Sequence, residues 1–140
     1  MEKREQILRP ISYLPMISDL TYGELEEAEN MLSYMLEAKE RPSSLDDHTI
    51  DRVIRLYSEK IDMVPVYKAQ LEYWKNDKSN SSHFTAIDDL YTKTEDLYEI
   101  SMEILGLAKE ISKHTIDKIM AMSDEELAIR TLTGEIKRPS

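Results

Sequence analysis

The chain has no cysteine, and only three glycines and three histidines among its 140 residues. Without cysteine there is no disulfide, no thiolate nucleophile and no sulfur-ligated metal. The sequence contains no glycine-rich phosphate loop, no nucleophile elbow and no zinc-type His/Glu motif. The histidines His48, His83 and His114 do not pair at a helical ligand spacing, and the Glu-x-x-His pairs of a di-iron bundle do not occur. Bases are scarce as well: 18 against 28 acids gives a formal net charge of −10. With no basic stripe to meet a phosphate backbone, no nucleic-acid partner is expected. No run approaches the roughly 18 apolar residues of a membrane span, and Met1-Glu2-Lys3-Arg4-Glu5-Gln6 lacks the apolar core of a signal peptide. The expectation is a soluble, cytoplasmic protein with no membrane partner.

What is present favours helix. Leu, Glu, Ile, Met and Lys are plentiful, prolines number five, and 41% of the residues are hydrophobic, enough for one domain over residues 1–140 to bury a core. The most regular stretch runs from Phe84 to Met122. Ile87, Leu90, Thr94, Leu97, Ser101, Ile104, Ala108, Ile111, Thr115 and Met122 follow the three-and-four spacing of a helix seam, and Lys118 is the one step that breaks it. Tyr91, Tyr98, Leu105, Ile116 and Ile119 widen the seam on one side, and Ile100 and Leu107 on the other, so this helix must touch at least two neighbours. Its centre line, Thr94, Ser101, Ala108 and Thr115, is small, which lets another backbone approach and lets hydroxyls bond back to their own helix.

Upstream, Thr21-Tyr22-Gly23-Glu24 has the form of a capping box with Leu20 and Leu25 as its hydrophobic staple, predicting a first helix from about Tyr22 to the residues before Pro42. The segment before it opens with a short helix at Glu2 to Arg9 and then carries Pro10 and Pro15 among apolar residues, which predicts a stretch without regular helix that lies against the body, residues 1–20 together forming a packed N-terminal arm. Ser43-Ser44-Leu45-Asp46-Asp47 restarts a second helix that fades in the polar run after Trp74, with Pro65 in its interior. Ser123 and Glu126, flanked by Met122 and Leu127, repeat the capping signature for a short fourth helix, with Gly134 placed to end it and residues 135–140 as a flexible tail. The fold class expected is therefore all-α: an antiparallel bundle of three long helices with a packed N-terminal arm and a short C-terminal helix. At about 1.5 Å per residue the first helix, about 28 Å long, would cover half of a third helix of about 57 Å, leaving the arm or a second copy to cover the rest.

Two groups of residues stand out for function. From Met63 to Trp74 the second helix is apolar nearly all round, so Met63, Val66, Tyr67, Tyr73 and Trp74, with Tyr13, Tyr91 and Tyr98 gathered at the same end, are the candidates for an interface or an aromatic pocket. The second group is acidic. Glu24-Leu25-Glu26-Glu27 and Glu59-Lys60-Ile61-Asp62 resemble the Glu-x-x-Glu and Glu-x-x-Asp motifs of the all-α nucleotide pyrophosphohydrolases. The resemblance implies Glu24, Glu27, Glu59 and Asp62 as magnesium ligands in a metal-nucleotide enzyme. Helical pitch places Glu59 about 160° and Asp62 about 140° from the core-facing Tyr57, towards water. No residue is nominated as catalytic and no cofactor is expected. The leading expectation is a non-enzymatic module acting through protein contacts, with a second copy in a dimer as the first partner.

Overall fold

The computed structural model describes residues 8–122 and 124–133. Three long helices dominate: α1 (Leu14–Glu40), α2 (Asp47–Lys75) and α3 (Phe84–Ser112), followed by the short α4 (Ile116–Met120) and α5 (Asp124–Leu132). Among the described residues there is no strand. The chain runs up, down and up, with short 3-10 turns at Pro42–Ser44 and Lys78–His83 joining the long helices. The all-α bundle of three long helices with a short C-terminal helix is thus the observed fold.

Each boundary has a local cause. Asp46 caps α2 by accepting a hydrogen bond from the Thr49 amide at 2.8 Å, leaving that donor satisfied where no helical carbonyl precedes it. Asp77 does the same for Ser79 in the turn that follows. Pro42 lies just past the end of α1, while Pro65 is carried inside a continuous α2 with the loss of one backbone donor.

Two boundaries differ from the sequence reading. First, α1 begins at Leu14 and not near Tyr22. Pro15 falls in its first turn, where a missing N–H costs nothing and the fixed φ favours helix. Pro10 lies outside, its carbonyl accepting from the Tyr13 amide to close the 3-10 turn that leads in. The prolines bracket a helix start instead of preventing one. Thr21 therefore caps nothing: it is buried in mid-helix, and its hydroxyl donates to the Ile17 carbonyl at 2.9 Å. With 27 residues, α1 is nearly as long as α2 and α3 at 29 each, so the expected half-coverage does not arise. Of the expected arm, residues 14–20 belong to α1; Leu8 and Arg9 are not helical, and residues 1–7 lie outside the described part.

Second, the rod expected from Phe84 to Met122 ends at Ser112, and the chain turns at Lys113 and His114. It is intact through Gly106. Thr115, placed by pattern in the seam, is instead the cap of α4, where it also donates to Asp47 Oδ1 at 2.6 Å. The Ile116 amide donates to the Leu45 carbonyl and Lys118 pairs with Asp47 at 2.8 Å, so α4 is fastened to the α1–α2 connection. The expected Ser123 cap, the Leu127 staple, Gly134 and the tail at 135–140 lie outside what is described.

The core forms two clusters. The larger holds Leu25, Ala28, Met35, Ile50, Val53, Tyr57, Leu97, Ile104, Ala108 and Ile111; the smaller, at the other end, holds Leu14, Leu71, Trp74, Ile87 and Leu90. Thr94, buried in the seam of α3, turns its hydroxyl back to the Leu90 carbonyl at 2.8 Å. Ser101, equally buried, has no partner for its hydroxyl among the described residues. These small side chains are what a close helix contact requires, as their spacing suggested.

Candidate functional site

The helix α3 packs along both α1 and α2, whereas α1 and α2 approach each other only sparsely. In a four-helix bundle each helix packs on two neighbours and faces the third across a diagonal. Here α1, α3 and α2 occupy three corners of such a square, and the fourth, between α1 and α2 on the side away from α3, is an open groove.

Along its lower part the groove is lined by Met31 and Tyr34 from α1 and by Thr49, Arg52, Val53, Arg55, Leu56 and Glu59 from α2, around a volume of about 440 Å³. A smaller hollow of about 170 Å³ continues upward past Glu24, Lys60, Met63 and Tyr67, sharing Leu56 and Glu59 with the first. Tyr34, Leu56 and Met63 are 47%, 44% and 41% exposed, which is unusual for large apolar side chains sharing one concave face. Helical pitch puts Met16, Leu20, Met31 and Tyr34 within about 60° of one another on α1, and Leu56 and Met63 about 20° apart on α2. Met16 and Leu20 are also exposed, so the apolar stripe extends along α1.

Across the middle the two helices are linked by polar groups. The Tyr67 hydroxyl donates to Glu24 Oε1 at 3.2 Å, and Lys60 Nζ lies 4.0 Å from Glu24 Oε2. Burial, then the Glu24 charge and hydrogen bond, push the Tyr67 phenol up to about 12, so it is a donor at any physiological pH. The upper end is closed by the N-terminal segment. The Arg9 amide donates to Gln70 Oε1 at 2.6 Å, Gln70 Nε2 returns a bond to the Arg9 carbonyl at 3.1 Å, and Trp74 Nε1 donates to the same carbonyl at 2.8 Å.

The residues singled out in the sequence are dispersed by this geometry. Trp74 is 1% exposed and fills the smaller core cluster, with Tyr13 and Tyr91 half-buried against it. That end is packed core, and Trp74 is not part of a surface. Tyr67 and Met63 line the groove, while Val66, Tyr73 and Tyr98 are exposed elsewhere on α2 and α3. Of the four acids, Glu24 and Glu59 share the upper hollow, but Glu24 is engaged by Tyr67 and Lys60. Glu27 lies near enough to Tyr57 for its charge to help burial raise that phenol, and Asp62 is exposed on α2. Among the described residues no three His, Asp or Glu side chains gather in a way that could hold a metal ion. The magnesium cluster implied by the resemblance is therefore not assembled.

Sequence reasoning missed Tyr34, Leu56, Arg52 and Arg55. Spacing alone puts Met31 and Leu36 on the buried face of α1 with Leu25, Ala28, Leu32 and Met35, yet Met31 is half-buried and Leu36 is exposed. A signal did exist: Thr49, Val53, Leu56, Lys60, Met63, Tyr67, Gln70 and Trp74 follow a four-three spacing along α2, a second seam beside the one that meets α3.

Among the described residues no helix is long and apolar enough to cross a membrane. No protein-family model, no curated protein and no solved structure matches the chain, so the groove's own geometry carries the functional reading.

Proposed function

We propose that this protein is a non-enzymatic helical module that works by self-association, with the face between α1 and α2 as its contact surface and a second copy as its partner. The observation that carries this reading is the open fourth corner of the bundle, where Tyr34, Leu56 and Met63 stay exposed along a groove. Burying such a stripe releases about 25 cal/mol per Å² of apolar surface, and helices laid into grooves are a recurrent means of doing so. Charge supports a second copy as the occupant: Arg52 and Arg55 line the groove with no ion pair among the described residues, in a molecule whose net charge is −10. The partner face is thus present on the same chain.

Sedimentation velocity over a micromolar concentration series tests it. The unaltered chain is expected to dimerise, and Leu56→Asp, which alters an already exposed position, is expected to leave the melting temperature nearly unchanged and weaken the dimer at least about tenfold. A chain that stays monomeric at high micromolar concentration overturns the reading. Trp74 is unsuitable for the purpose, because a polar residue there would disrupt the core.

A further inference from the structure

The charges that α2 presents along the open groove follow one order. Arg52, Leu56 and Glu59 lie within about 60° of one another around the helix axis, and all three are exposed. Arg52 is about 6 Å along the axis from Leu56 on the Thr49 side, and Glu59 is about 4.5 Å from it on the Met63 side. Neither Arg52 nor Glu59 makes an ion pair among the described residues. Lys60, the neighbouring cation, is turned away: its side chain is 14% exposed, and its ammonium lies 4.0 Å from Glu24 on α1. Arg55 lies farther round the helix, about 100° from Leu56. The lower face of α2 thus reads positive, apolar, negative.

Such an order of charges is complementary to itself in reverse. Two copies of α2 laid in the same direction would set Arg52 level with Arg52 and Glu59 level with Glu59. An antiparallel pair crossing at Leu56 instead brings each Arg52 within about 1.5 Å, measured along the axis, of the level of the other copy's Glu59. Resting on the self-association proposed above, we infer that the dimer is isologous and antiparallel, with its two-fold axis beside Leu56 and two identical Arg52–Glu59 pairs between the copies. A two-fold contact repeats every interaction, so one complementary pair counts twice. The two Leu56 side chains meet at the axis, with Tyr34 on α1 lining the groove beside them. Met63 and Thr49, each about 10.5 Å from Leu56, come level with one another across the contact. Like charges set opposite each other on such a face are costly, so the arginine and the glutamate fix direction and register while the apolar residues supply the area. Farther up, Lys60 and Tyr67 reach across the groove to Glu24, which leaves the lower part for the second copy.

Exchange of the charges tests the pairing, read by sedimentation velocity at micromolar concentration. Arg52→Glu alone opposes acid to acid at both pairs, and Glu59→Arg alone opposes base to base. Both positions are exposed, so the melting temperature of the monomer is expected to change little, while each variant is expected to dimerise at least about tenfold more weakly than the unaltered chain. Mixed in equal amounts, the two variants are expected to form a heterodimer of near-native affinity, because both pairs then join opposite charges. Glu103→Arg, at an exposed position on α3, changes the net charge as Glu59→Arg does and is expected to dimerise like the unaltered chain. If the unaltered chain dimerises, the antiparallel pairing is overturned, and self-association left standing, by any of three results: single variants that dimerise equally well, a mixture that restores nothing, or Glu103→Arg weakened as much as Glu59→Arg. An unaltered chain that stays monomeric at high micromolar concentration overturns both.

Discussion

At the residue scale the most informative side chain is one that pattern reading passes over. Gln70 is polar, yet it is buried within an apolar band, and both ends of its amide are matched to the backbone of Arg9. A buried amide is tolerated only when its donors and acceptor find partners, and here the partner is a chain segment 61 residues away. Replacing it by an apolar residue of similar size would leave the Arg9 amide unpaired. Gln70→Leu is therefore expected to lower stability in urea unfolding by about 1–2 kcal/mol. Trp74→Ala, which also empties part of the smaller core cluster, is expected to cost about 3–5 kcal/mol. Were the Gln70 change neutral, the Arg9 segment would not be held to α2 in this way. Neither effect could be foreseen from spacing, because the sequence shows Gln70 as polar without showing what it meets.

At the element scale the deciding issue is where α1 starts. A Thr-x-x-Glu box flanked by leucines is a sound local signal for a helix N-terminus, and Thr21 to Leu25 satisfies it. It is overridden because Leu14, Ile17, Thr21, Leu25 and Ala28 continue one face into the core, and because Pro15 suits a first turn. Leu14 and Thr21 are buried, and Ile17 is half-buried beside the smaller cluster. This start places Gly23 in the interior of α1, where an added Cβ would meet nothing within 4 Å. Gly106 in the interior of α3 is equivalent. Gly23→Ala and Gly106→Ala are each expected to raise stability by about 0.5–1 kcal/mol, read as a higher melting temperature. A helix beginning at Tyr22 would give a gain at Gly106 only, so unequal results would restore the later start.

At the scale of the whole molecule, the lower end of the bundle depends on pH through Asp47. The Lys118 ammonium first, and the Thr115 hydroxyl second, hold the Asp47 carboxyl below the usual carboxylate range, and Asp47 in turn raises Lys118. A depressed carboxylate stabilises the fold fully above its ordinary value, about pH 4, and loses that contribution as the pH falls through its lower folded value. The raised lysine contributes fully below its ordinary value, about pH 10, and loses that contribution as the pH rises through its folded value. The fastening of α4 is thus strongest between these limits. Asp47→Asn is expected to lower the melting temperature at neutral pH, with the gap to the unaltered chain closing as the pH drops below the ordinary carboxylate range. A gap independent of pH would mean that the Asp47 charge does not hold α4.

The sequence alone determined that this chain is helical, that three long helices carry it, and which face of α2 and of α3 meets the core. Those properties follow from the periods of apolar side chains and from caps such as Asp46, which act within a few residues. Only the tertiary structure decided that the third rod stops at Ser112, that Trp74 is core, and that the surface left open lies between α1 and α2. Each of these depends on groups far apart in the chain: Thr115 on Asp47, Trp74 on Arg9, and Leu56 on the sparse approach of α1 to α2. A periodic pattern reports how apolar a face is, but whether a neighbour covers that face is settled by how the helices are arranged in space.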